Sequence, residues 1–169
     1  MKTIIIGFSK SKHSWAIGSD LIRWFMNKDF SHTYFKFKED LYEDYTICHA
    51  TGKGIIYMSE QTFSLSNKTV AEFELTISEN LFDELLQDCH KYAGANYGYF
   101  QNLGIFLVRC LNKIGIKLNK NPIDDGINCS EWLYYLLREV DGEWTKTDPN
   151  LIAPDEVYNY LMERNYGKT

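Results

Sequence analysis

The hydrophobic pattern of this chain changes its period near the middle. From Val70 to Ile77, Phe73, Leu75 and Ile77 alternate with Glu72, Glu74 and Thr76. That period of two belongs to a strand with one buried face. Beyond Ser78 the spacing becomes helical. Leu81, Phe82, Leu85, Leu86, Cys89 and Tyr92 fall on one side of a helix, with Ser78 as its cap and Gly94 as its stop. Strands first and helices after predict an α+β fold.

The remaining segments follow the same division. Lys2 to Phe8 reads as a short strand, and residues 14–27 as a helix with Trp15, Leu21, Ile22, Trp24 and Phe25 as apolar positions. Phe30 to Phe37 alternates, with His32, Tyr34 and Lys36 on one face and Thr33, Phe35 and Phe37 on the other. Glu39 to Asp44 is an acidic loop. Tyr45 to Ala50 and Gly54 to Met58 form two strands around a Thr51-Gly52-Lys53-Gly54 turn. Phe100 to Ile114 is a further helix, stopped by Gly115. Asn128 opens another, which buries Trp132, Leu133, Leu136 and Leu137, and Pro154 opens the last.

A length of 169 residues, 44% hydrophobic and only 3 prolines, suits one domain over 1–169 with its own core. A net charge of -5 argues against nucleic acid as the main partner, which would require a clustered basic surface. Lys10, Lys12 and His13, and Lys113, Lys117 and Lys120, are read as solvated loops. The apolar run after Met1 is too short for a signal segment, and no stretch is long enough to span a bilayer. The expectation is a cytoplasmic protein with free thiols at Cys48, Cys89, Cys110 and Cys129. Cys89 and Cys110 are read as core. No cofactor or metal is expected. Cys48-His49 and Cys89-His90 diverge on their elements and cannot chelate easily. No Gly-rich phosphate loop exists. Tyr92, Tyr97, Tyr99 and Phe100 form an aromatic cluster, read as packing.

The chemistry-bearing pattern is a pairing across a long gap. Cys129 follows a good N-cap, Asn128, so its thiol would feel the positive end of a helix dipole and free N–H groups. Both favour the thiolate, the reactive form. His32, on a strand, is a fitting base for it. The bland alternatives are a core cysteine and a structural histidine. Pairing of adjacent strands would let His49 hydrogen-bond the far nitrogen of His32 and fix its tautomer, with Glu39, Glu72 and Glu74 as carboxylate rivals. The backbone N–H of Cys129 is a candidate oxyanion donor. Glu131 is read as complementing the helix dipole rather than as catalytic.

Three stretches carry a resemblance: Phe30-Ser31-His32-Thr33-Tyr34-Phe35, Thr46-Ile47-Cys48-His49-Ala50 and Asn128-Cys129-Ser130-Glu131-Trp132-Leu133, with Ala153-Pro154-Asp155-Glu156 at the close. In this order they resemble the circularly permuted NlpC-like (YiiX-like) branch of papain-fold proteins, which includes many bacterial and phage members. The resemblance spans roughly positions 1–162. It implies a permuted papain-like fold with the nucleophile helix near the C-terminus. It also implies Cys129 as nucleophile, His32 as base and His49 at the third position, where the family commonly has glutamate. The implied activity is cleavage of an amide bond in a peptide or acyl-amide substrate, through a thioester. Alternatives are a thiol acyltransferase, a lipid hydrolase, or a binding protein that keeps the fold without catalysis.

Overall fold

The structure, a computed structural model, describes residues 1–13, 17–39, 43–51, 53–94, 98, 101–123, 126, 128–142, 144 and 148–168. It is α+β. Five antiparallel strands, β1 (Lys2–Ser11), β2 (His32–Phe37), β3 (Thr46–Thr51), β4 (Gly54–Ser59) and β5 (Asn67–Ile77), form the sheet, and a two-residue strand, β6 (Gly167–Lys168), extends it. Their order is β4-β3-β2-β1-β5-β6. The helices are α1 (Ile17–Met26), α2 (Glu60–Ser66), α3 (Glu79–Lys91), α4 (Gln101–Lys113), α5 (Glu131–Asp141) and α6 (Pro154–Glu163).

The two faces of the sheet differ in chemistry. Alternation along β1, β2 and β5 sends Ile4, Ile6, Phe8, Phe35, Phe37, Phe73 and Leu75 into one core, where they meet Trp132, Leu133 and Leu137 of α5 and Val157 and Leu161 of α6. Phe35 packs on Trp132 with ring centroids 5.1 Å apart, and Phe37 on Phe82 of α3 at 5.1 Å. The opposite face carries a small cluster of Tyr34, Ile47 and Phe63. Beside it Lys36, 5% exposed, is paired with Glu60 at 2.5 Å and Glu72 at 2.8 Å. Burial works against the Lys36 ammonium, but the two carboxylates outweigh it and its pKa is raised. Tyr34 lies over the β1 backbone, and a Cβ at Gly7 would come within 2.1 Å of its ring. Only glycine leaves room there.

The structure departs from the sequence reading in several places. β1 runs on to Ser11, so Lys10, read as loop, lies in the strand and pairs with Asp29 at 2.6 Å. A short helix, α2, fills the stretch between β4 and β5; its one buried side chain, Phe63, is too little for a periodic signal. β5 begins at Asn67 rather than Val70. Cys110 is only partly buried, and Leu21 and Trp24 of α1 are exposed, at 53% and 75%. Trp15, Tyr97, Tyr99 and Phe100 lie outside the described residues. Among the described residues, no helix is long and apolar enough to cross a membrane.

Candidate active site

The local sequence before α5 builds its own entry. Asn128 Oδ1 accepts the backbone N–H groups of Ser130 at 2.8 Å and Glu131 at 2.9 Å, the donors that an N-cap at this position binds. The regular helix starts at Glu131, so Cys129 and Ser130 form the turn that leads into it rather than its first residues. The first backbone bond of the helix runs from Tyr134 N–H to the Ser130 carbonyl at 2.9 Å. Asn128, Cys129 and Ser130 are all buried, and Cys129 is 2% exposed.

This turn docks on β2. Thr33 Oγ1 donates to the Cys129 carbonyl at 2.6 Å. Thr33 is next to His32 in the strand, so the cysteine turn and the histidine share one end of β2. The β2–β3 ladder pairs Phe35 with Cys48, Lys36 with Ile47 and Phe37 with Thr46, and stops there. Past its last pair, the imidazoles bridge the two strands. His32 Nε2 and His49 Nδ1 are 3.0 Å apart, with rings set edge to face at 81°. His49 is buried, at 6% exposure. Phe63 packs against it edge to face at 5.1 Å.

Burial pulls His32 down to about 4. It pulls His49 to about 3, with the neighbouring His32 ring adding to the effect. Both rings are therefore neutral near pH 7. One of the two facing nitrogens must then carry the hydrogen. A bond donated by His32 Nε2–H leaves His32 Nδ1 bare, as a base requires, and puts a hydrogen on His49 Nε2. That His49 nitrogen is buried and has no hydrogen-bond partner among the described residues. The reverse tautomer would leave His32 with Nδ1–H and no basicity toward a thiol.

Thr33, not its neighbour His32, faces the Cys129 turn; alternation along β2 sends the His32 ring to the other face, with His49 and Phe63, and no hydrogen bond between the described residues joins it to Cys129. The Sγ of Cys129 has Ser130 Oγ as its polar partner, at 3.8 Å. The carboxylate rivals of His49 are elsewhere. Glu72 accepts from Tyr34 Oη at 2.7 Å and pairs with Lys36, while Glu39 and Glu74 are exposed. Cys48 and Cys89 turn their sulfurs to each other at 3.3 Å, and no group of three metal-ligating side chains occurs among the described residues. One turn along α5 from Cys129, a groove of about 380 Å³ opens between α3 and α5, walled by Trp132 and Tyr135 on one side and Leu81 and Leu85 on the other.

Sequence reasoning missed the polar cluster behind the cysteine turn. Gln101, Asn121, Glu131 and Asn150 meet there, although up to 49 residues separate hydrogen-bonded partners. No local motif announces it. Known protein-family models do not match this chain, and curated proteins do not match it either.

Proposed function

We propose that this chain is a cysteine hydrolase of permuted papain-like fold that cleaves an amide bond, with Cys129 as nucleophile, His32 as base and His49 orienting it. The supporting observation is the His32–His49 bond at 3.0 Å, beside the Thr33 that holds the Cys129 carbonyl at 2.6 Å. In the reaction the thiol gives its proton to Nδ1 of His32 and the sulfur attacks the acyl carbon. The tetrahedral oxyanion would take the backbone N–H of Cys129. Collapse breaks the C–N bond, and His32 returns the proton to the leaving amine. Water, deprotonated by His32, then opens the thioester and restores the thiol. Because Thr33 rather than His32 faces the Cys129 turn, the reaction requires the His32 ring at the end of β2 to swing toward the sulfur as the sulfur leaves Ser130 Oγ. The α3–α5 groove would receive the chain of a peptide or acyl-amide substrate.

The test is alkylation by iodoacetamide across pH, with the modified cysteine located by peptide mass spectrometry. Cys129 should react well ahead of Cys48 and Cys89, and His32→Ala should slow it by about tenfold or more. Equal rates with and without His32 would sink the proposal. They would favour the second reading, a binding protein of the same fold, which draws on the 2% exposure of Cys129.

A further inference from the structure

Glu131 lies two residues beyond Cys129 and is 7% exposed. Three side chains from three elements form a closed triangle there. Gln101 Nε2, from α4, donates to Glu131 Oε2 at 2.9 Å and to Asn150 Oδ1 at 2.9 Å. On the third side the same Asn150 atom lies 2.6 Å from Glu131 Oε1 and 3.1 Å from Oε2, contacts that an ionised carboxylate could accept only from the nitrogen of a turned-over amide. Each side requires one hydrogen.

An ionised carboxylate supplies none. Both amides would then have to present nitrogen to it, and the side between Gln101 and Asn150 would set one NH2 against another. Turning either amide over only moves the conflict to a different side. The triangle closes when the carboxyl keeps its proton. Glu131 Oε1–H donates to Asn150 Oδ1, and Gln101 Nε2–H serves the other two sides. A separation of 2.6 Å is usual for O–H···O and short for an amide N–H.

The surroundings hold the triangle in place. Asn121 Nδ2 donates to the carbonyls of Gln101 at 3.0 Å and Asn150 at 2.9 Å. It reaches them because residue 104 is glycine; a Cβ there would lie 1.8 Å from Asn121 Oδ1. Asp148, before the 3-10 turn Pro149–Leu151, accepts the N–H groups of Asn121 at 2.8 Å and Asn150 at 3.1 Å. Tyr135 on α5 lies close enough to couple to Glu131: its hydroxyl pKa is raised first by burial and next by the Glu131 carboxyl, with Arg138 acting the other way.

We propose that Glu131 is held as a neutral carboxylic acid and acts as a positioning residue, its proton tying the first turn of α5 to α4 and to the Pro149–Leu151 turn so that Cys129 keeps its place. The positioning half rests on the reading of Cys129 as nucleophile. A neutral acid also adds no negative charge beside a forming thiolate.

The full-length chain and its Glu131→Gln variant should be compared by infrared difference spectroscopy at neutral pH. A protonated-carboxyl C=O band present in the wild type and missing in the variant is expected; its absence from the wild type would overturn the assignment. Alkylation of Cys129 provides the second arm. Glu131→Ala should slow it by about tenfold, since two buried partners lose their bonds. Glu131→Gln has the donor and acceptor pattern of the neutral acid and should restore the rate. Glutamine as damaging as alanine, or alanine without effect, would overturn the positioning role. Should Glu131→Ala fail to fold, the glutamine variant and the infrared band still decide. An unreactive wild-type Cys129 would count against the hydrolase reading alone, because the band reports on Glu131 directly.

Discussion

Cys48 and Cys89 are as sheltered from solvent as Cys129, at 0%, 0% and 2% exposure, yet their settings differ in kind. The first two sit mid-strand and mid-helix with their sulfurs 3.3 Å apart inside an apolar core. Burial, then the neighbouring Cys89, pushes the Cys48 thiol far up. Cys129 sits in a turn at a helix start, among Asn128, Ser130, Thr33 and the Glu131 cluster. Equal exposure therefore does not make the two settings equivalent. A thiol also responds to the dipoles and hydrogen bonds around it, and these differ between the two.

The largest effect that would sharpen this contrast is Cys129→Ala. It should abolish amide-bond turnover while the melting temperature stays within about 3 °C of wild type, since one small buried side chain replaces another. Full turnover in that variant would erase the distinction between the two settings.

Acid should act next. The His32 pKa falls from 6.5 to about 4 on folding. A lowered histidine pKa means that the unfolded chain takes up a proton before the folded one. The stability contributed by keeping this ring neutral is thus complete above pH 6.5, declines as pH falls, and is gone by about 4. The loss is about 3 kcal/mol for His32, and His49 extends the window to about 3. Urea titrations between pH 7 and 4 measure it, and His32→Ala should flatten the slope. An unchanged slope would mean that the pair is not held neutral.

Cys48→Ser tests the other setting. A hydroxyl among apolar neighbours should destabilise the fold by about 2 kcal/mol, read from denaturant midpoints. A neutral result would show that this pair is less apolar than the packing indicates. The smallest effect is expected at Thr33→Val, which removes the bond to the Cys129 carbonyl. It should lower stability by about 1 kcal/mol and slow Cys129 alkylation without touching Cys48. A slower Cys48 as well would mean that β2 itself had shifted.

Much of the fold was legible because its signals are local. Alternation gave β2 and β5, a turn signal gave β3 and β4, Ser78 and Gly94 bracketed α3, and Pro154 marked α6. The short α2 was not, although Ser59 caps it through Thr62 N–H at 3.1 Å; with only Phe63 buried, seven residues carry too little pattern. Of the site, the residue types and their elements were readable: a cysteine after an N-cap and two histidines on consecutive strands.

By itself, then, the sequence determined which residues could carry chemistry and on which elements they ride, because period, caps and turns act over a few positions. The tertiary structure alone decided three things. It ended the β2–β3 ladder early enough for two imidazoles to meet, set the Cys129 turn against Thr33, and brought Gln101, Glu131 and Asn150 together. Those are contacts between distant segments. Their geometry follows from how the layers pack, which no local pattern encodes.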